Sequence, residues 1–569
     1  MPPLRALPPE GVDPASALEL ASAWGLSPPL AATLWALGLR SRDAAEDFLR
    51  PRLQDLSPPH AMRGLQAAVD AIMVALRSGH RIAIFGDYDV DGTTAAALLD
   101  EVLSDFGGDV HTHLAQRFHG GYGLSSAALE RCLQSRPQLL ITCDCGSTDH
   151  ERIREARRRG IDVIVVDHHR VPDEPLEVLA FLNPHQPGCE YPYKHLTSVG
   201  LCFMLAAALR AAMQRQYDLR RCLDLVALGT VADVAPLDGD NRRLVRAGLQ
   251  RLASTEARPG ILALRRKAAG GESPPMTARE IAFRLAPRLN ASGRLGDPRL
   301  SFNLLRCRDM QEAKALASSL EEINERRRGF DRKVSESAFA QVEARYPTGE
   351  LPAGLVVAGE GWHRGVLGIS AARLVERFQR PVLLLGIETG QAEGSGRAPK
   401  GFPLYDALAA CEGLLERFGG HQAAVGLSVD RHRLDALQAD FAEACAQRRA
   451  EAAAALEAGG ATPGVELHPE HCPPPSAAEL QLLEPLGGGS EVPIFRLPGA
   501  EVEDKRVVAG DHLKLRLRFG SHRISAFAAN QASALASLPS RLTAIGPLAP
   551  DVWRNDGSVE LTLQTWLAD

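Results

Sequence analysis

Three aspartates at alternate positions are the residues with the clearest capacity for chemistry. Asp87, Asp89 and Asp91 lie in the sequence IFGDYDVDGTT, directly after the apolar run 82–85 and before an alanine- and leucine-rich stretch. The apolar run has the length and composition of a buried strand, and the stretch after Gly92 suits a helix packed on a sheet. Three carboxylates so close together repel one another, and a tight turn tolerates them best when cations neutralise their charge.

A DxDxDG sequence is also compatible with two other structures, a solvated acidic turn and a calcium-binding EF-hand loop. An EF-hand loop needs a helix before it and a bidentate glutamate at its twelfth position. This chain has a predicted strand before the motif and Leu98 at the twelfth position, which excludes the EF-hand. Because oxygen ligands favour Mg²⁺ or Mn²⁺, the motif predicts a site for one of these ions, completed by residues from elsewhere in the chain.

Acidic and imidazole side chains also follow three later apolar runs. They are Asp144 after 139–142, His168 and His169 after 163–166, and Asp233 after 223–228. The first two runs are predicted strands, whereas the type of the third is uncertain. Strands that alternate with helices indicate a mostly parallel sheet, whose ligand crevice lies at the carboxyl ends of the strands. Each side chain alone could be a helix cap, a core histidine or a turn former, but together they predict one metal site.

Length and composition indicate a multidomain globular protein. The 569 residues exceed what one hydrophobic core supports, and about three or four domains are expected. The net charge of −6 argues against a uniformly basic nucleic-acid-binding coat, although it leaves room for a local basic track. The ten cysteines are scattered, and Cys143 and Cys145 lack the CxxC spacing of zinc and redox sites. We therefore expect reduced thiols and a cytoplasmic location, with neither a signal peptide nor a membrane span.

A second α/β unit is predicted after a long helix. Residues 321–345 are highly charged with sparse apolar positions, which is typical of an exposed connecting helix. Within them the run 325–328 (ERRR) indicates a solvated face. From about residue 350 strands and helices alternate again, including a glycine-containing loop before the helical pattern of 361–378.

The C-terminal part is predicted to be β-rich and to carry a basic strand. Residues 512–519 (HLKLRLRF) alternate strictly between polar and apolar, which predicts a half-buried strand. Its outer face carries Lys514, Arg516 and Arg518. A solvated strand face is the simpler interpretation, but a row of one charge sign favours binding to a phosphate backbone.

Four ordered motifs resemble those of the DHH phosphoesterase superfamily. They are GDYDVDG (86–92), CDCG (143–146), VVDHH (165–169) and GTVADVAPL (229–237). Within the superfamily the chain is most similar to the bacterial RecJ single-strand-specific exonucleases, from about residue 55 onwards. Later segments support this choice, namely PRLNASGR (287–294), GSGR (394–397), GGH (419–421) and EPLGGG (484–489). One departure is Ser147, where relatives often carry a β-branched residue.

The resemblance implies a site for two divalent cations, Mn²⁺ or Mg²⁺, with defined roles for its residues. The implied metal ligands are Asp89, Asp91, Asp144, His168 and Asp233. Asp144 is expected to bridge the two ions, and Asp87 either binds a metal or supports the ligands. His169 is expected to face the scissile phosphate as a catalytic group, and Asp167 to orient its neighbours. Two such cations can hold both the attacking and the leaving oxygen of a phosphoryl displacement, so no serine or cysteine nucleophile is required.

The resemblance also implies a set of substrate contacts. Arg117, at the start of a glycine-rich loop, is expected to form a 5′-phosphate pocket with Ser395 and Arg397. The remaining implied contacts are His421, which would face the cleft between two lobes, and Arg288 and Arg294, which would contact phosphates. For both arginines ordinary helix-end charge is the alternative. Phe519, Phe527 and Trp553 could stack on bases, but each also suits a core position.

The expected fold consists of two α/β lobes joined by a long helix, plus a C-terminal OB-like β-barrel. The first lobe contains the parallel DHH sheet, and the second is the DHH-associated lobe. The expected domains are an N-terminal helical segment (1–55), a catalytic domain (56–270), a helical connector (271–346), a DHH-associated substrate-binding domain (347–457) and a nucleic-acid-binding OB domain (458–569).

The activity that the resemblance implies is 5′-to-3′ hydrolysis of single-stranded DNA to nucleoside 5′-monophosphates. The corresponding roles are DNA repair, including mismatch repair, and recombination. The implied partners are single-stranded DNA, a RecQ-type helicase and a single-strand-binding protein, with a monomer as the expected state.

Two other functions stay open at this point. One is a DHH phosphodiesterase of short oligonucleotides or cyclic dinucleotides, which would not need the basic C-terminal strand. The other is a non-catalytic DNA-binding replication scaffold that has kept the fold and lost its metals, although every candidate ligand is present.

Overall fold

The computed structural model describes most of the chain and divides it into two compact units. The described residues are 12, 14–118, 121–270, 276–422, 424–458, 464–487, 492–508, 511–551, 554 and 556–568. The first unit comprises residues 1–293, 297–318 and 462–569, and the second comprises residues 294–296 and 319–461.

Three short helices precede the first sheet. They are α1 (Pro14–Trp24), α2 (Pro28–Ala36) and α3 (Arg42–Leu49). Helix α2 starts with two prolines, whose fixed φ suits the first helical turn. The hydroxyl of Ser41 caps α3 by accepting a hydrogen bond from the backbone N–H of Ala44.

A parallel sheet forms the centre of the first unit, and among the described residues it has five strands in the order β2-β1-β3-β4-β5. They are β1 (Arg81–Gly86), β2 (Asp109–Leu114), β3 (Leu139–Cys143), β4 (Asp162–Val166) and β5 (Ala180–Leu182). The strands predicted at 82–85, 110–114, 139–142 and 163–166 are thereby confirmed. Parallel order brings the carboxyl ends of β1, β3 and β4 to one edge of the sheet, which is where the acidic motifs begin.

Helices cover both faces of this sheet. They are α4 (Leu65–Ser78), α5 (Val90–Asp105), α6 (Ser126–Leu133), α7 (His150–Arg158) and α8 (Ser198–Ala212). Helices α6 and α7 pack on one face, in a core that includes Phe85, Leu129, Ile153 and Val165. Both faces are therefore dry, and this explains why β1, β3 and β4 read as continuous apolar runs.

The apolar stretch that begins at residue 223 is a helix and not a strand. It is α9 (Leu223–Ala232), and every residue from Leu223 to Val231 is buried. A helix that is apolar on all sides has no 3.6-residue pattern, so periodicity could not distinguish it from a buried strand. It packs against α5, α8 and the following helix.

The rest of this helical region comprises α10 (Gly239–Ala253), α11 (Pro259–Ala269), α12 (Ala278–Glu280), a π-helical turn (Ile281–Leu285), α13 (Ala286–Leu295) and α14 (Arg299–Arg306).

The predicted connecting helix is longer and less exposed than expected. It is α15 (Met310–Arg345), a helix of 36 residues. One side is buried in the second unit through Val334, Ala338 and Val342. The solvated-face interpretation of the run 325–328 is wrong for Arg327, which is only 9% exposed. Because its apolar positions are sparse, the sequence pattern did not predict that one face of this helix is buried although it is partly polar.

The second unit is built on a mixed sheet with the order β6-β7-β8-β10-β9. Its elements are β6 (Leu355–Glu360), α16 (Leu367–Phe378), β7 (Val382–Glu388), β8 (Gln391–Arg397), α17 (Leu404–Ala409), β9 (Arg417–His421), β10 (Ala424–Asp430) and α18 (Leu434–Ala458). Helices α15 and α16 cover one face of the sheet, and α17 and α18 cover the other. Strands β6 and β7 are parallel and the remaining pairs are antiparallel.

The C-terminal part of the first unit is a β-structure around the long strand β12. Its elements are β11 (Gly464–Glu466), α19 (Ala477–Leu482), β12 (Ile494–Val508), β13 (His512–Phe519), β14 (His522–Ala528), β15 (Arg541–Gly546), β16 (Leu548–Pro550), β17 (Val559–Thr562) and β18 (Thr565–Ala568). The first half of β12 pairs with β15 and the second half with β13, and two register shifts bend the strand. The strand predicted at 512–519 is confirmed residue for residue.

The N-terminal helices and the C-terminal β-structure share one hydrophobic core. Trp24, Leu30 and Leu34 from the start of the chain lie in the same buried cluster as Phe495 and Leu515. Segments more than 450 residues apart in sequence therefore fold together in the first unit. The predicted domain boundaries treat these segments separately and stay a prediction.

The cysteines are structural and unpaired. All ten lie within the described ranges, nine are buried and none forms a disulfide. Burial raises the pKa of the Cys132 and Cys222 thiols to about 12, so both stay protonated and unreactive at neutral pH. Within the described ranges no helix combines the length and apolar character needed to cross a membrane.

Arg242 on α10 joins three parts of the first unit. Its guanidinium lies 3.4 Å from the ring centroid of Phe48 and donates hydrogen bonds to the backbone carbonyls of Phe48, Leu483, Glu484 and Pro485. Carbonyls at the end of α19 have no helical partner of their own, and Arg242 supplies one. Helix α10, the end of α3 and the segment after α19 are thereby held together.

Replacing Arg242 should weaken the fold without touching the acidic motifs. We expect Arg242→Met to lower the free energy of unfolding by about 2 kcal/mol, because buried carbonyls lose their donor. Calorimetry of the full chain measures this loss. Arg220→Met is the matched control, since Arg220 is an exposed arginine that forms an ion pair with its near neighbour Asp218, and it should leave the melting temperature unchanged. Equal stability of the two variants would contradict the joining role of Arg242.

Candidate metal centre

The turn after β1 is shaped so that its three aspartates point into one place. Asp87 is buried, and its backbone N–H donates to the carbonyl of Cys143 on β3. Asp89 is the N-cap of α5 and accepts a hydrogen bond from the N–H of Gly92 at 3.0 Å. A Cβ at Gly92 would lie 2.6 Å from the backbone nitrogen of Asp87. Only glycine therefore allows a turn this tight, and the tight turn brings Asp91 inward.

Asp91 is fixed by the amino end of α8. Its two carboxylate oxygens accept hydrogen bonds from the N–H groups of Ser198, at 2.7 Å, and Val199, at 3.0 Å. The partial positive charge of a helix amino end stabilises a carboxylate in this position. Gly229 on α9 completes the enclosure, because a Cβ there would lie 2.8 Å from a carboxylate oxygen of Asp91 and 2.4 Å from the hydroxyl of Thr94.

Asp144 stands at the carboxyl end of β3 with a left-handed backbone. Its φ is +65°, a conformation that aspartate tolerates better than most residues but that still costs about 1 kcal/mol or more. Its N–H donates to the carbonyl of Val166 on β4 at 3.0 Å, and its Oδ1 accepts from the hydroxyl of Ser198 at 3.0 Å. The strain turns the Asp144 carboxylate from the strand into the cluster.

Asp167 organises the two histidines without joining the cluster itself. Its carboxylate accepts hydrogen bonds from the N–H groups of Ser147, His168 and His169, and it lies 2.7 Å from Nδ1 of His169. Burial alone would raise the pKa of Asp167, but the hydrogen bonds from His169 and Ser147 hold it well below its usual range. Ser147 is therefore compatible with the turn, because its backbone makes the contact.

His168 points a ring nitrogen at three carboxylates. Its Nε2 lies 3.3 Å from Oδ1 of Asp144, 3.7 Å from Oδ2 of Asp233 and 4.0 Å from Oδ2 of Asp91. Within the described structure this nitrogen is buried and has no hydrogen-bond partner. Burial, with the charge of His169, lowers the pKa of His168 to about 4. The imidazole is therefore neutral at pH 7, which is the form that binds metals.

The carboxylates are crowded enough to hold protons at neutral pH. Burial, reinforced by the charge of Asp89, raises the pKa of Asp91 to about 7. Burial and the charge of Asp91 raise the pKa of Asp233 to about 8, and those of Asp87 and Asp144 also lie well above the usual range. In the part of the chain that the structure describes, none of these four makes an ion pair with a lysine or arginine.

These residues fit divalent cations. Three groups have ligand atoms within 4.8 Å of one another, namely Asp87 with Asp89 and Asp144, Asp144 with His168 and His169, and Asp91 with His168 and Asp233. Oδ1 of Asp87 and Nε2 of His168 are buried without a hydrogen-bond partner among the described residues. Carboxylates with imidazole suit Mn²⁺ or Mg²⁺, and a bound cation would satisfy these atoms and offset the repulsion. Because the groups share Asp144 and His168, they can accommodate more than one ion.

The metal-free protein is expected to lose stability as the pH rises from 7 to 9. Asp91 and Asp233 keep protons up to pKa values of about 7 and about 8 in the folded state. For His169 burial alone would lower the pKa, but Asp167 raises it to about 9. A group with a raised folded pKa stabilises the fold below its unfolded pKa, and this stability is lost as the pH rises through the folded pKa. Each such proton changes the unfolding free energy by about 1.4 kcal/mol per pH unit.

Thermal melts in EDTA measure this pH dependence. The melting temperature should fall between pH 7 and 9, the fall should be smaller in Asp233→Asn, and excess Mn²⁺ should remove it, because the cation replaces the protons. A melting temperature that rises over this range in EDTA would contradict the assigned charges.

The residues predicted to bind a terminal phosphate lie in different units. In the first unit the Arg117 guanidinium lies 4.4 Å from the ring centroid of Tyr88. In the second unit Ser395 and Arg397 occupy alternate positions of β8 and lie against the amino end of α16. A Cβ at Gly368 would be 2.8 Å from Nη2 of Arg397 and 3.6 Å from Cβ of Ser395. The structure thus brings Ser395 and Arg397 together, and their partnership with Arg117 stays a prediction.

The other predicted phosphate contacts are engaged within the protein. Arg288 is buried and donates to the carbonyl of Arg284 at 2.7 Å. Arg294 donates to the carbonyl of Gly365 at 3.4 Å. His421 ends β9, and its side chain lies outside the described part of the structure. Their phosphate contacts stay predictions.

The basic row on β13 is not a row of one charge sign in the folded protein. Lys514 pairs with Glu560 on β17, and Arg518 pairs with Glu501 and Glu503 on β12. Arg516 is exposed and lies opposite Asp504 in the β12–β13 register. Acidic residues from adjacent strands therefore offset much of the positive charge, which strand alternation alone could not reveal.

The candidate stacking residues are mostly unavailable. Phe519 is 1% exposed and belongs to the core. Phe527 is partly buried, with its ring centroid 5.2 Å from that of His512. Trp553 lies outside the described residues.

Two contributors to the site were missed by the sequence analysis. Ser198 binds Asp91 and Asp144 from the start of α8, and nothing in its local sequence TSVGL marks it. Tyr122 lies in the glycine-rich loop and its hydroxyl is 3.0 Å from Nδ1 of His169. The sequence GGYG is a signal that could have pointed to Tyr122, because glycines on both sides of it allow the positive φ angles found at Gly121 and Gly123.

Family models match three parts of the chain. The DHH family N-terminal domain matches residues 81–230, the DHHA1 domain matches residues 352–447 and the RecJ OB domain matches residues 464–565.

Named relatives match nearly the whole chain. The single-stranded-DNA-specific exonuclease RecJ of Bacillus subtilis is 32% identical over 546 residues, which cover 95% of this chain and 68% of that protein. The protein of the same name from Thermus thermophilus is 34% identical over 550 residues, covering 95% of this chain and 76% of that protein.

Solved structures agree with this similarity. The Thermus thermophilus RecJ structure in complex with Mn²⁺ superposes with a TM-score of 0.79 at 31% identity, over 98% of this chain and 78% of that one. A structure of the same protein with Mg²⁺ gives a TM-score of 0.72 at 29% identity, over 98% of this chain and 77% of that one. The parallel-sheet lobe, the second α/β lobe and the C-terminal β-structure that the sequence predicts all belong to this shared fold.

Proposed function

The chain belongs to the RecJ family of single-stranded-DNA-specific exonucleases, and on that premise we propose that it hydrolyses single strands from the 5′ end to nucleoside 5′-monophosphates. It is a metal-dependent hydrolase of single-stranded DNA. The observation that supports this function most strongly is the buried cluster of carboxylates and imidazole at the carboxyl edge of the first sheet. The named relatives supply the substrate class and the structures of one relative supply the metals, Mn²⁺ and Mg²⁺.

We assign the metal ligands by geometry. Asp89, Asp91, Asp144, His168 and Asp233 would hold two divalent cations, with Asp144 shared because it belongs to two of the three ligand groups. When bound, two such cations stabilise charge on both the attacking and the leaving oxygen of an in-line displacement. Among the described residues Oδ1 of Asp87 has no hydrogen-bond partner, which supports a ligand role for that residue as well.

His169 is suited to act on the scissile phosphate. Asp167 engages Nδ1 of His169, and Nε2 would donate to a nonbridging phosphate oxygen. Asp167 raises the pKa of His169 to about 9 against the opposing effect of burial, so the ring is cationic at neutral pH. A cationic N–H donor stabilises negative charge that develops in the transition state.

The second unit supplies a site for the strand terminus. Ser395 and Arg397 lie beside the amino end of α16, where backbone N–H groups and the helix dipole favour an anion. Arg397 can bind a phosphate with two N–H groups. Together with Arg117 they would select a 5′-phosphate and so define the direction of degradation.

We assign the remaining predicted residues and partners to binding and supplying the DNA strand. Phosphates along the strand would be contacted by Arg288, Arg294 and His421. The DNA backbone would also be bound by Lys514, Arg516 and Arg518, whose acidic neighbours would be replaced by phosphates as ion-pair partners. A RecQ-type helicase could supply single strands and a single-strand-binding protein could present them. The expected roles are DNA repair and recombination in the cytoplasm, carried out by a monomer.

Digestion of labelled single strands tests this function. Strands with a 5′-phosphate or a 5′-hydroxyl, labelled internally or at the 3′ end, are incubated with Mn²⁺, Mg²⁺ or EDTA. We expect mononucleotide release in the order of the sequence from the 5′ end, dependence on the cation and no release from blunt duplex. Arg397→Ala should reduce the preference for the 5′-phosphate.

Three outcomes would contradict the proposal. Release from the 3′ end would reverse the direction of degradation. Hydrolysis confined to a dinucleotide would indicate a phosphodiesterase of small substrates. Strand binding without any hydrolysis would indicate a scaffold.

A further inference from the structure

Tyr122 is held in a fixed position by the glycine-rich loop between β2 and α6. Gly121 and Gly123 on either side of it have φ of +77° and +81°, which side chains other than glycine rarely adopt. A Cβ at Gly123 would lie 3.1 Å from both carboxylate oxygens of Asp149, and the same carboxylate accepts a hydrogen bond from the N–H of Leu124 at 2.8 Å. The loop is thus tied to the start of α7, and this fixes where the Tyr122 ring enters the site.

The hydroxyl of Tyr122 contacts two motifs of the metal centre at once. It lies 3.0 Å from Nδ1 of His169 and 3.3 Å from the carbonyl oxygen of Asp144. The tyrosine and histidine rings meet edge to face, with centroids 5.4 Å apart. Nearly half of the residue is exposed (48%), although its hydroxyl is engaged in the site.

The hydrogen atoms in this network can be assigned from the acceptors. Asp167 Oδ1 lies 2.7 Å from Nδ1 of His169, and an ionised carboxylate can only accept. Nδ1 therefore carries a hydrogen, which it shares between Asp167 and the oxygen of Tyr122. The single hydrogen of the Tyr122 hydroxyl is then free to bind the carbonyl of Asp144. Both donors have acceptors, because the Nδ1 hydrogen faces Asp167 and Tyr122 and the Tyr122 hydroxyl faces the carbonyl of Asp144.

We propose that Tyr122 is a positioning residue, which holds the imidazole of His169 at a second point so that Nε2 faces the scissile phosphate. Asp167 contacts Nδ1 from one direction and the Tyr122 hydroxyl contacts it from another, so the hydroxyl restricts the tilt of the ring about the Asp167 hydrogen bond. The same hydroxyl binds the carbonyl of Asp144, whose backbone is strained. The proposal rests on the proposed nuclease function, in which His169 acts on the phosphate.

Tyr122→Phe tests the hydroxyl while keeping the ring. We expect kcat on single-stranded DNA to fall about tenfold, because a displaced donor stabilises the transition state less well. KM for the strand and the affinity for Mn²⁺ should stay within about twofold, since neither depends on the hydroxyl. Tyr217→Phe is the matched control, because its hydroxyl binds Glu101 about three turns along α5 from Asp91. This control should lower the melting temperature and leave kcat unchanged.

A double-mutant cycle shows whether Tyr122 acts through His169. In a His169→Gln background, measured in single turnover, Tyr122→Phe should have no further effect on the rate. A full tenfold loss in that background would overturn the proposal, as would an unchanged kcat in Tyr122→Phe alone. A rise in KM without a fall in kcat would also overturn it and would assign the exposed ring to base stacking.

A spectroscopic measurement separates this proposal from the nuclease function. In the full chain labelled with ¹⁵N-histidine, the Nδ1 proton of His169 is assigned by its disappearance in His169→Gln. We expect Tyr122→Phe to shift this signal or to speed its exchange with solvent, and Tyr217→Phe to leave it unchanged. An unaltered signal in Tyr122→Phe would overturn the positioning role. Failure of the wild-type chain to hydrolyse DNA would instead contradict the nuclease function and leave this readout intact.

Discussion

Asp144→Asn is expected to lower the rate of DNA hydrolysis by at least about 10³-fold and at the same time to stabilise the metal-free protein. The loss follows because Asp144 is shared by two ligand groups, and a neutral amide there removes several kcal/mol of cation binding and charge stabilisation, each 1.36 kcal/mol being about tenfold in rate. Asparagine preserves the shape of the side chain and can still accept the hydrogen bond from Ser198. The fold should therefore be retained.

Asp144→Asn should thus raise the stability of the metal-free protein while it lowers the activity, so loss of the fold could not explain the lower rate. Burial and the charges of neighbouring aspartates raise the pKa of Asp144 well above its usual range, so its ionised form destabilises the fold. In EDTA at pH 8 we expect the melting temperature of Asp144→Asn to exceed that of the wild type by about 2 °C or more. Rates and thermal melts measure the two effects on one preparation.

Asp162→Asn is the matched control for this change. Asp162 is an exposed carboxylate at the start of β4, the end of the strand remote from the acidic motifs, and its substitution should alter neither quantity. Retained hydrolysis in Asp144→Asn, or a lower melting temperature in EDTA, would contradict the assigned role.

Gly229→Ala is expected to lower activity by about 10²-fold and to destabilise the protein. The added methyl would lie 2.4 Å from the Thr94 hydroxyl, 2.7 Å from Cγ1 of Val199 and 2.8 Å from a carboxylate oxygen of Asp91. No real Cβ approaches so closely, so α9 must move away and take Asp233 with it. A displacement of about 1 Å at a catalytic site can cost 10²-fold, and overpacking of this kind costs about 1–3 kcal/mol.

Gly329→Ala is the control for the glycine effect. Gly329 lies within α15, and a Cβ there would meet nothing within 4 Å. Alanine in a helix interior is more favourable than glycine by about 0.5–1 kcal/mol, so this variant should melt slightly higher and keep full activity. The measurements are kcat, Mn²⁺ affinity and melting temperature. Full activity in Gly229→Ala would show that the close approach of α9 to Asp91 is not required.

The sheet and the acidic cluster were predictable because their information is local. Strands β1, β3 and β4 are apolar runs that each end in a polar motif, and parallel order then brings those ends together. Asp87, Asp144 and His168 could thus be grouped without coordinates. The alternation of 512–519 likewise identified β13, because a half-buried strand has a strict period of two.

The remaining features depend on tertiary packing and have no local signal. Helix α9 is buried on every side and mostly apolar, so only its neighbours distinguish it from a strand. Ser198 binds the site only because the amino end of α8 is directed at Asp91. The acidic partners of Lys514 and Arg518 come from other strands, so a row that looks basic in sequence is mixed in the fold.

The most direct test of the central claim is the number of Mn²⁺ ions bound per chain, measured by equilibrium dialysis and elemental analysis of the full-length protein at pH 8. We expect two ions for the wild type, fewer than two for Asp144→Asn and two for Asp162→Asn. A wild-type chain that hydrolyses single-stranded DNA while binding no Mn²⁺, or an Asp144→Asn variant that binds both ions with unchanged affinity, would contradict a metal centre that Asp144 completes.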